Sequence, residues 1–160
     1  MTVVDYNKCV DLYSDSIYRF ALKSIRDEET ASDLVQDSFM RLWQHVEKVN
    51  LDTAKPYLFR IANNLLIDMY RKNKFTDRST LDSEKFSYNH EYSDLKEHLD
   101  KALDSLTQVQ KTVVMLRDYE DYSYEEIGQI TGLSESQVKV YIYRARKNLK
   151  DYLIESRIEL

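Results

Sequence analysis

This 160-residue chain has few of the residues that interrupt helices, with only two glycines and one proline. In addition, 42% of its residues are hydrophobic and 32% are charged. Together these features favour helices over sheets and predict an all-α fold. The single cysteine, Cys9, excludes an internal disulfide and fits a reducing compartment. No apolar run approaches the roughly 20 residues that span a bilayer, and the N-terminus lacks a signal-peptide pattern. We therefore expect a cytoplasmic protein without membrane insertion.

Patterns for catalysis, metals and cofactors are missing as well. The three histidines stand far apart and give no metal-ligand spacing with Cys9. The two glycines, Gly128 and Gly132, do not make a glycine-rich phosphate loop. Pairs of acids on the predicted helices are far more often solvated than catalytic. We expect no enzymatic activity, no metal and no cofactor.

What the chain does contain is a predicted helix-turn-helix at residues 122–149. Ser123 begins a short helix, because Glu126 completes a capping-box pattern three residues later, and Gly132 follows that helix as a left-handed C-terminal residue. Ser134 begins a second helix by the same capping chemistry. Apolar residues recur along one face of this second helix: Val138, Ile142, Ala145 and Leu149.

The second helix of this motif is basic. Residues 135–151 include five basic and two acidic residues, whereas the whole chain has a net charge of −5. A basic second helix is what docking in the major groove of DNA requires. The alternative is that these lysines and arginines form only a solvated face, as is common in helical proteins. The contrast with the acidic background favours DNA recognition.

Three helices are predicted in the N-terminal half. Apolar residues recur at helical spacing from about Val4 to Ile25, from Ala31 to Val46 and from Lys55 to about Phe75. Thr30 is the expected N-cap of the second helix. Trp43, the only tryptophan, lies on the apolar stripe of that helix and is expected in the core.

The third helix is a second basic island. Residues 49–53 are expected to form a loop before it, with Pro56 in its first turn. Residues 60–78 include five basic and two acidic residues, and aromatic residues are interleaved with them. Basic residues beside aromatic rings suit single-stranded nucleic acid, because bases stack on rings while cations follow the phosphates. The alternative is that the aromatic residues are core, which we favour for Phe59 and Tyr70.

Composition also divides the chain. Residues 77–92 are rich in Ser, Thr, Asp and Asn and have no sustained apolar stripe, so they predict a flexible linker between domains 1–76 and 93–160. Two more helices are expected before the helix-turn-helix, one capped by Ser93 and one begun by a Thr107–Gln110 capping box. Residues 150–160 are expected to be a frayed tail.

Several blocks of the sequence resemble the sigma factors of bacterial RNA polymerase. The segment DLVQDSFMRLWQ (33–44) resembles region 2.2, KPYLFRIANNLLIDMYRK (55–72) is similar to regions 2.3 and 2.4, and residues 103–149 are similar to region 4. The order of the blocks and the short linker resemble the extracytoplasmic-function (ECF) group. The resemblance implies two small helical domains and a role in promoter recognition and transcription initiation.

The resemblance also implies contact residues and partners. The beta-prime clamp helices of core polymerase would meet Asp33, Gln36, Asp37 and Arg41. The minus-10 promoter element would meet Arg60, Asn64, Arg71 and Lys72. The minus-35 element would meet Gln137, Lys139, Val140, Tyr143, Arg144, Arg146 and Lys147. The helix at 107–118 would help dock on the beta flap, and an anti-sigma factor is the expected regulator.

Three departures from the family pattern affect promoter reading. Tyr57 stands where the family often has tryptophan, Val140 stands where a small or polar residue is common, and Tyr141 stands where a basic residue is common. Fewer hydrogen bonds to base edges are then available, so contact with thymine methyl groups gains weight. On the basic helix we expect Lys139 to read a base and Arg144 to hold a phosphate, since Lys139 is nearer the N-terminal end.

Two other classes of function remain open from the residues alone. A stand-alone helix-turn-helix regulator would bind a palindromic site as a dimer, with its N-terminal part sensing a ligand or dimerising. A protein-interaction adaptor would use the acidic faces as its main surface. Co-elution with core polymerase separates the sigma-factor reading from both.

Overall fold

The computed structural model describes residues 1–75 and 90–158, with side chains for residues 1–72 and 94–156. Within those ranges the chain is helical and has no strand, which confirms the predicted all-α class. The helices are α1 (Val3–Ile25), α2 (Glu28–Gln44), α3 (Leu51–Phe75), α4 (His90–Asp104), α5 (Gln108–Val114) with a π-helical turn at Met115–Tyr119, α6 (Tyr124–Thr131) and α7 (Glu135–Ile158).

Two compact units divide the chain. One is Met1–Leu81 with Gly128–Gly132, and the other is Asp82–Ile127 with Leu133–Leu160. Most of the predicted linker, residues 77–92, lies outside the described residues, although residues 90–92 belong to α4. The division into domains 1–76 and 93–160 stays a prediction.

In the first unit, α1, α2 and α3 pack pairwise against one another. Their buried residues include Cys9, Ile17, Phe20, Leu34, Phe39, Leu42, Leu58, Phe59 and Leu66. The rings of Phe20 and Phe59 meet edge to face with centroids 5.5 Å apart, so the prediction of Phe59 as core is confirmed. Tyr70 is not core, because its ring is exposed while its hydroxyl donates to the Ser24 carbonyl at 2.7 Å.

The junction of α1 and α2 differs from its prediction. Arg26 ends α1 in the left-handed region, at φ 59°, and donates its N–H to the Leu22 carbonyl at 2.7 Å. Asp27 then caps α2, because its carboxylate accepts from the Thr30 N–H at 3.0 Å and from the Thr30 hydroxyl. The prediction of Thr30 as the N-cap is therefore wrong, because Thr30 lies inside the helix and donates to the cap. α2 begins at Glu28, three residues before the predicted start at Ala31.

Two predictions near the end of α2 are wrong. α3 begins at Leu51, so residues 51–53 are helical and Pro56 lies inside the helix instead of in its first turn. Trp43 is 46% exposed and contacts the ring of Tyr6 edge-on, with centroids 5.0 Å apart. The reason is geometric: Leu42, one residue earlier, occupies the buried face, and consecutive helical residues point about 100° apart.

In the second unit, α5 and α4 each pack against α7. One buried cluster joins the three helices and consists of Leu103, Leu106, Val114 and Ala145, with Leu149 packed against it. Val138 and Ile142 are buried as well, which confirms the predicted apolar face of α7. The prediction of a frayed tail at residues 150–160 is wrong, since α7 continues to Ile158. α4 begins at His90, before the expected cap at Ser93.

The three predicted capping boxes are confirmed, although the expected single caps Thr30 and Ser93 are not. Reciprocal side-chain and backbone hydrogen bonds form all three expected capping boxes, at Thr107–Gln110, Ser123–Glu126 and Ser134–Gln137. Gly132 follows α6 at φ 81° and donates its N–H to the Gly128 carbonyl at 2.8 Å. A Cβ at Gly132 would meet nothing within 4 Å, so the backbone conformation alone favours glycine there.

Asp121 should be a site of easy stabilisation, because it is held at φ 57° before α6. Glycine enters the left-handed region without the steric penalty of a Cβ. Asp121→Gly should therefore raise the free energy of unfolding by about 0.5–1 kcal/mol in urea denaturation. Asp121→Ala is the control, since it removes the carboxylate and keeps the Cβ. Equal stabilisation by both variants would mean that charge, and not conformation, limits this position.

Candidate polymerase and nucleic-acid interfaces

A polar face of α2 is open to a partner. Asp33, Gln36, Asp37 and Arg41, the residues expected to meet core polymerase, are all exposed. They lie opposite Leu34, Ser38 and Leu42, which are buried against the rest of the unit. No ion pair joins any of the four to another residue in the described part of the chain. The charges of Asp33, Asp37 and Arg41 are therefore available to a binding partner.

A surface groove of about 480 Å³ adjoins this polar face. Asp37 and Arg41 line it together with residues that sequence reasoning did not select: Met40, Gln44, His45, Tyr57 and Ile61. Met40 is 57% exposed, and the His45 and Tyr57 rings meet edge-on at 6.5 Å. Apolar side chains beside an acid and a base are the mixture that an amphipathic helix of a partner protein requires. Helical periodicity alone does not reveal such a groove, because α2 and α3 contribute to it together.

The residues expected at the minus-10 element lie along α3. Arg60, Asn64, Arg71 and Lys72 are all exposed. Arg60, Asn64 and Arg71 are four and seven residues apart, so they share one helical face. The guanidinium groups and the amide are thus presented in a row that can follow a nucleic-acid strand.

The residues expected at the minus-35 element are also all exposed, on α7. Val140 and Tyr143 stand out among them, because these hydrophobic side chains are 45% and 72% exposed. Together with Lys147 they point away from the buried face of Val138, Ile142 and Ala145. The outermost part of α7 therefore offers apolar surface next to a cation.

Three of the α7 residues are engaged within the protein. The amide oxygen of Gln137 accepts from the Ser134 N–H at 2.9 Å. The Lys139 ammonium lies 3.7 Å from the Glu135 carboxylate. The Arg146 guanidinium makes two hydrogen bonds to the Asp118 carboxylate, one of them at 3.2 Å. These hydrogen bonds to Asp118 raise the pKa of Arg146 above its usual value.

Sequence reasoning missed Arg117, Asp118 and Tyr124. Arg117 and Asp118 belong to the π-helical turn, and Tyr124 begins α6. The Arg117 guanidinium lies 4.4 Å from the centre of the Tyr124 ring, and the Lys139 ammonium lies 5.5 Å from the same centre. No local sequence pattern predicts these contacts, because the residues that they join are 7 to 28 positions apart in the sequence.

The described residues contain no group of three or more His, Cys, Asp or Glu side chains that could hold a metal ion. Nor does any helix among these residues have the length and the apolar character needed to cross a membrane.

Comparison with known families matches both halves of the chain. Residues 9–76 match the model of Sigma-70 region 2, and residues 96–149 match that of Sigma-70, region 4. RNA polymerase sigma factor SigV of Bacillus subtilis is 33% identical over 146 residues, which cover 89% of this chain and 87% of that protein. ECF RNA polymerase sigma factor SigM of the same organism is 32% identical, over 87% of this chain and 89% of that protein. ECF RNA polymerase sigma factor SigE of Mycolicibacterium smegmatis is 31% identical over 96% of this chain but only 63% of its own length.

Solved structures agree with that family. The sigma factor RpoE from Bartonella quintana, solved in complex with the anti-sigma factor NepR, has a TM-score of 0.78 and 26% identity. The similarity covers 94% of this chain and 98% of that one. CnrH, solved with the cytosolic domain of CnrY, has a TM-score of 0.75 at 23% identity and shares the fold.

The helical fold, the basic helix-turn-helix and the two matched regions define an RNA polymerase sigma factor. Within that class the chain belongs to the ECF family. Sigma factors are transcription initiation factors, and they direct the start of transcription. The family and the class of function expected from the sequence are therefore confirmed. The individual contact residues stay predictions.

Proposed function

We propose that this chain binds core RNA polymerase and guides it to promoters with a minus-10 and a minus-35 element, without catalysing a reaction itself. The observation that carries the proposal is the presence of regions 2 and 4, in that order, in one chain. Each basic helix offers only a few phosphate contacts, which is too few for tight binding on its own. Tethering both to polymerase raises their effective concentration at one promoter.

The polar face of α2 is the proposed contact with the beta-prime clamp helices. Its four residues are exposed and make no ion pair with another described residue, and the adjoining groove supplies apolar surface. On such a surface, the charged side chains orient the binding partner, and burial of the apolar side chains provides the affinity. Met40, at 57% exposed, is the proposed apolar anchor at this contact.

Region 2 and region 4 would divide the promoter between them. On α3, Arg60, Arg71 and Lys72 would bind phosphates of the minus-10 element, while Asn64 would meet an unpaired base. Melting is favoured because an extruded base gains contacts on the protein that it lacks in the duplex. On α7, Arg144 and Lys147 are the proposed phosphate ligands at the minus-35 element, and α5 would help dock on the beta flap.

An anti-sigma factor is the proposed regulator. The relative RpoE was solved in complex with the anti-sigma factor NepR, which supports a partner of that kind here. A protein that covered the polar face of α2 would keep the chain from polymerase. Because core polymerase works in the cytoplasm, we place this protein there too.

Size-exclusion chromatography with purified core polymerase, followed by promoter-specific transcription, tests the proposal. We expect co-elution, and transcripts only when the chain and its promoter are both present. A chain that ignores polymerase but binds a palindromic duplex as a dimer would instead be a stand-alone regulator.

Charge reversal at Asp37 should weaken the complex with core polymerase. Asp37 is exposed and lines the groove, so Asp37→Arg places a cation where an acid is expected to face the partner. We expect a loss of about 1–2 kcal/mol, or about five- to thirty-fold in Kd, in a fluorescence titration. Asp15→Arg, an exposed acid on α1, makes the same change in net charge and should bind normally. Equal weakening by both variants would mean that net charge alone matters, against the assignment of this face.

A further inference from the structure

Tyr124 lies at the centre of a group of cations in the second unit. Its half-buried ring has the Arg117 guanidinium 4.4 Å from its centre and the Lys139 ammonium at 5.5 Å. Both distances fall within the roughly 6 Å over which a cation is attracted to an aromatic face. The ring therefore connects the π-helical turn to the first turns of α7.

Arg117 anchors this arrangement to the backbone. One of its terminal nitrogens donates to the Tyr122 carbonyl at 2.8 Å, two residues before Tyr124. Tyr122 is itself 1% exposed, and its N–H donates to the Leu116 carbonyl at 3.0 Å. The guanidinium that faces the ring is thus fixed by a buried part of the chain.

A second tie joins the same turn to α7. Asp118 follows Arg117 and accepts two hydrogen bonds from Arg146. Lys139 and Arg146 are seven residues apart, which is close to two helical turns, so they lie on one side of α7 about 10 Å from each other. The π-helical turn is therefore linked to α7 at two points, indirectly through the Tyr124 ring to Lys139 and directly from Asp118 to Arg146.

Two such points control the rotation of α7 about its own axis. Burial of an apolar face sets that rotation only loosely, because hydrophobic contact has no directional preference. A rotation of about 10° moves a side-chain tip at the helix's outer radius of roughly 6 Å by about 1 Å. Contacts with base edges are sensitive to a shift of that size, because hydrogen-bond lengths span about 0.5 Å and a gap of about 0.5–1 Å removes a quarter to a half of a van der Waals attraction.

We propose that Tyr124 is a positioning residue for promoter specificity, which sets the direction in which α7 presents Val140 and Tyr143 to the minus-35 element. It does so through its contacts with Arg117 and Lys139, called here the Arg117–Tyr124–Lys139 stack. The Asp118–Arg146 pair acts together with this stack. Lys139 then serves the stack and is not the base reader expected from the sequence. The inference rests on the proposed docking of α7 in the major groove. Tyr124 itself touches no base.

The test is transcription by the chain with core polymerase on a library of minus-35 variants. Tyr124→Leu removes the ring and keeps an apolar side chain, so it should change the relative use of at least one base position by five-fold or more. Tyr124→Phe keeps the ring and should retain the original preference. Asp118→Asn weakens the second tie and should alter the preference as well, which provides a further test should the leucine variant fold poorly.

Several outcomes would overturn the inference. A uniform drop across the library with Tyr124→Leu would show a structural role alone, and equal effects of leucine and phenylalanine would remove the role of the stack. Tyr143→Ala separates this result from a failure of the proposed function. A change of preference with Tyr143→Ala and none with Tyr124→Leu or Asp118→Asn rejects only the positioning role. No change with any of the three variants rejects the docking of α7 itself and the inference with it.

Discussion

Replacing Phe59 by alanine should lower the free energy of unfolding of the first unit by about 3–5 kcal/mol, the usual cost of removing a large buried aromatic side chain. Phe59 is 0% exposed and meets Phe20 edge to face at 5.5 Å. The substitution removes both the buried apolar area and the ring contact, and it leaves a cavity between α1 and α3. Urea denaturation followed by fluorescence is well suited to the measurement, because the only tryptophan, Trp43, lies in this unit.

Two controls belong with this variant. Phe59→Leu keeps most of the apolar volume and should cost clearly less than alanine. Tyr143→Ala removes an aromatic side chain that is 72% exposed, so its effect should stay within about 0.5 kcal/mol. A loss below about 1 kcal/mol for Phe59→Ala would contradict the placement of this ring in the core.

Removing the carboxylate of Asp104 should destabilise the second unit by about 2–3 kcal/mol. The side chain of Lys111 is only 8% exposed, and its ammonium lies 3.0 Å from the Asp104 carboxylate. In Asp104→Ala that nearly buried cation loses this carboxylate partner. The expected loss is at the lower end for a buried pair because Asp104 is itself 48% exposed. Hydrogen exchange of the α4 and α5 amides in the full chain gives the measurement.

An exposed ion pair on α4 provides the matched comparison. Lys101 and Glu97 are 3.5 Å apart, and both side chains are about 60% exposed. Glu97→Gln should change the stability by less than about 0.5 kcal/mol, since water and salt screen such a pair. Equal losses of stability in Asp104→Ala and Glu97→Gln would contradict the view that the burial of Lys111 makes its ion pair important.

The parts of the fold that could be predicted from sequence are those set by neighbours along the chain. A capping box needs only a Ser or Thr and a Glu or Gln three residues later, so Thr107, Ser123 and Ser134 were found without tertiary information. Gly132 was found for the same reason, because the left-handed end of α6 is a local property. The apolar faces of α1, α2, α3 and α7 followed from helical periodicity.

Helix starts were missed where two local signals competed. Asp27 and Thr30 are both good capping residues, and the choice between them depends on the left-handed turn at Arg26 that precedes Asp27. Pro56 indicated a first turn and a helix start at Lys55, yet α3 begins four residues earlier, at Leu51. Trp43 was assigned to the core because an apolar stripe has no sharp edge in sequence, whereas in the structure Leu42 occupies the buried position.

For the candidate interfaces, the sequence predicted exposure correctly and also the pairing of Gln137 with Ser134, but not the contacts that Lys139 and Arg146 make with other elements. Every contact residue expected from the family resemblance is exposed. That Lys139 and Arg146 also have partners within the protein depends on Tyr124 and Asp118, which reach them only after folding. The sequence shows which residues are charged, but the tertiary structure determines which of these charges are already paired within the protein.

The π-helical turn also determines which changes of chain length this protein can accept. Its hydrogen bonds reach five residues back, as from the Glu120 N–H to the Met115 carbonyl at 3.1 Å, so it holds one residue more than an α-helical turn. A single-codon deletion there would restore a regular helix and turn the following chain by about 100°. Tyr122, now 1% exposed, would then leave its buried site. A point substitution keeps the number of residues in the turn, whereas the loss of one residue changes the direction of everything that follows it.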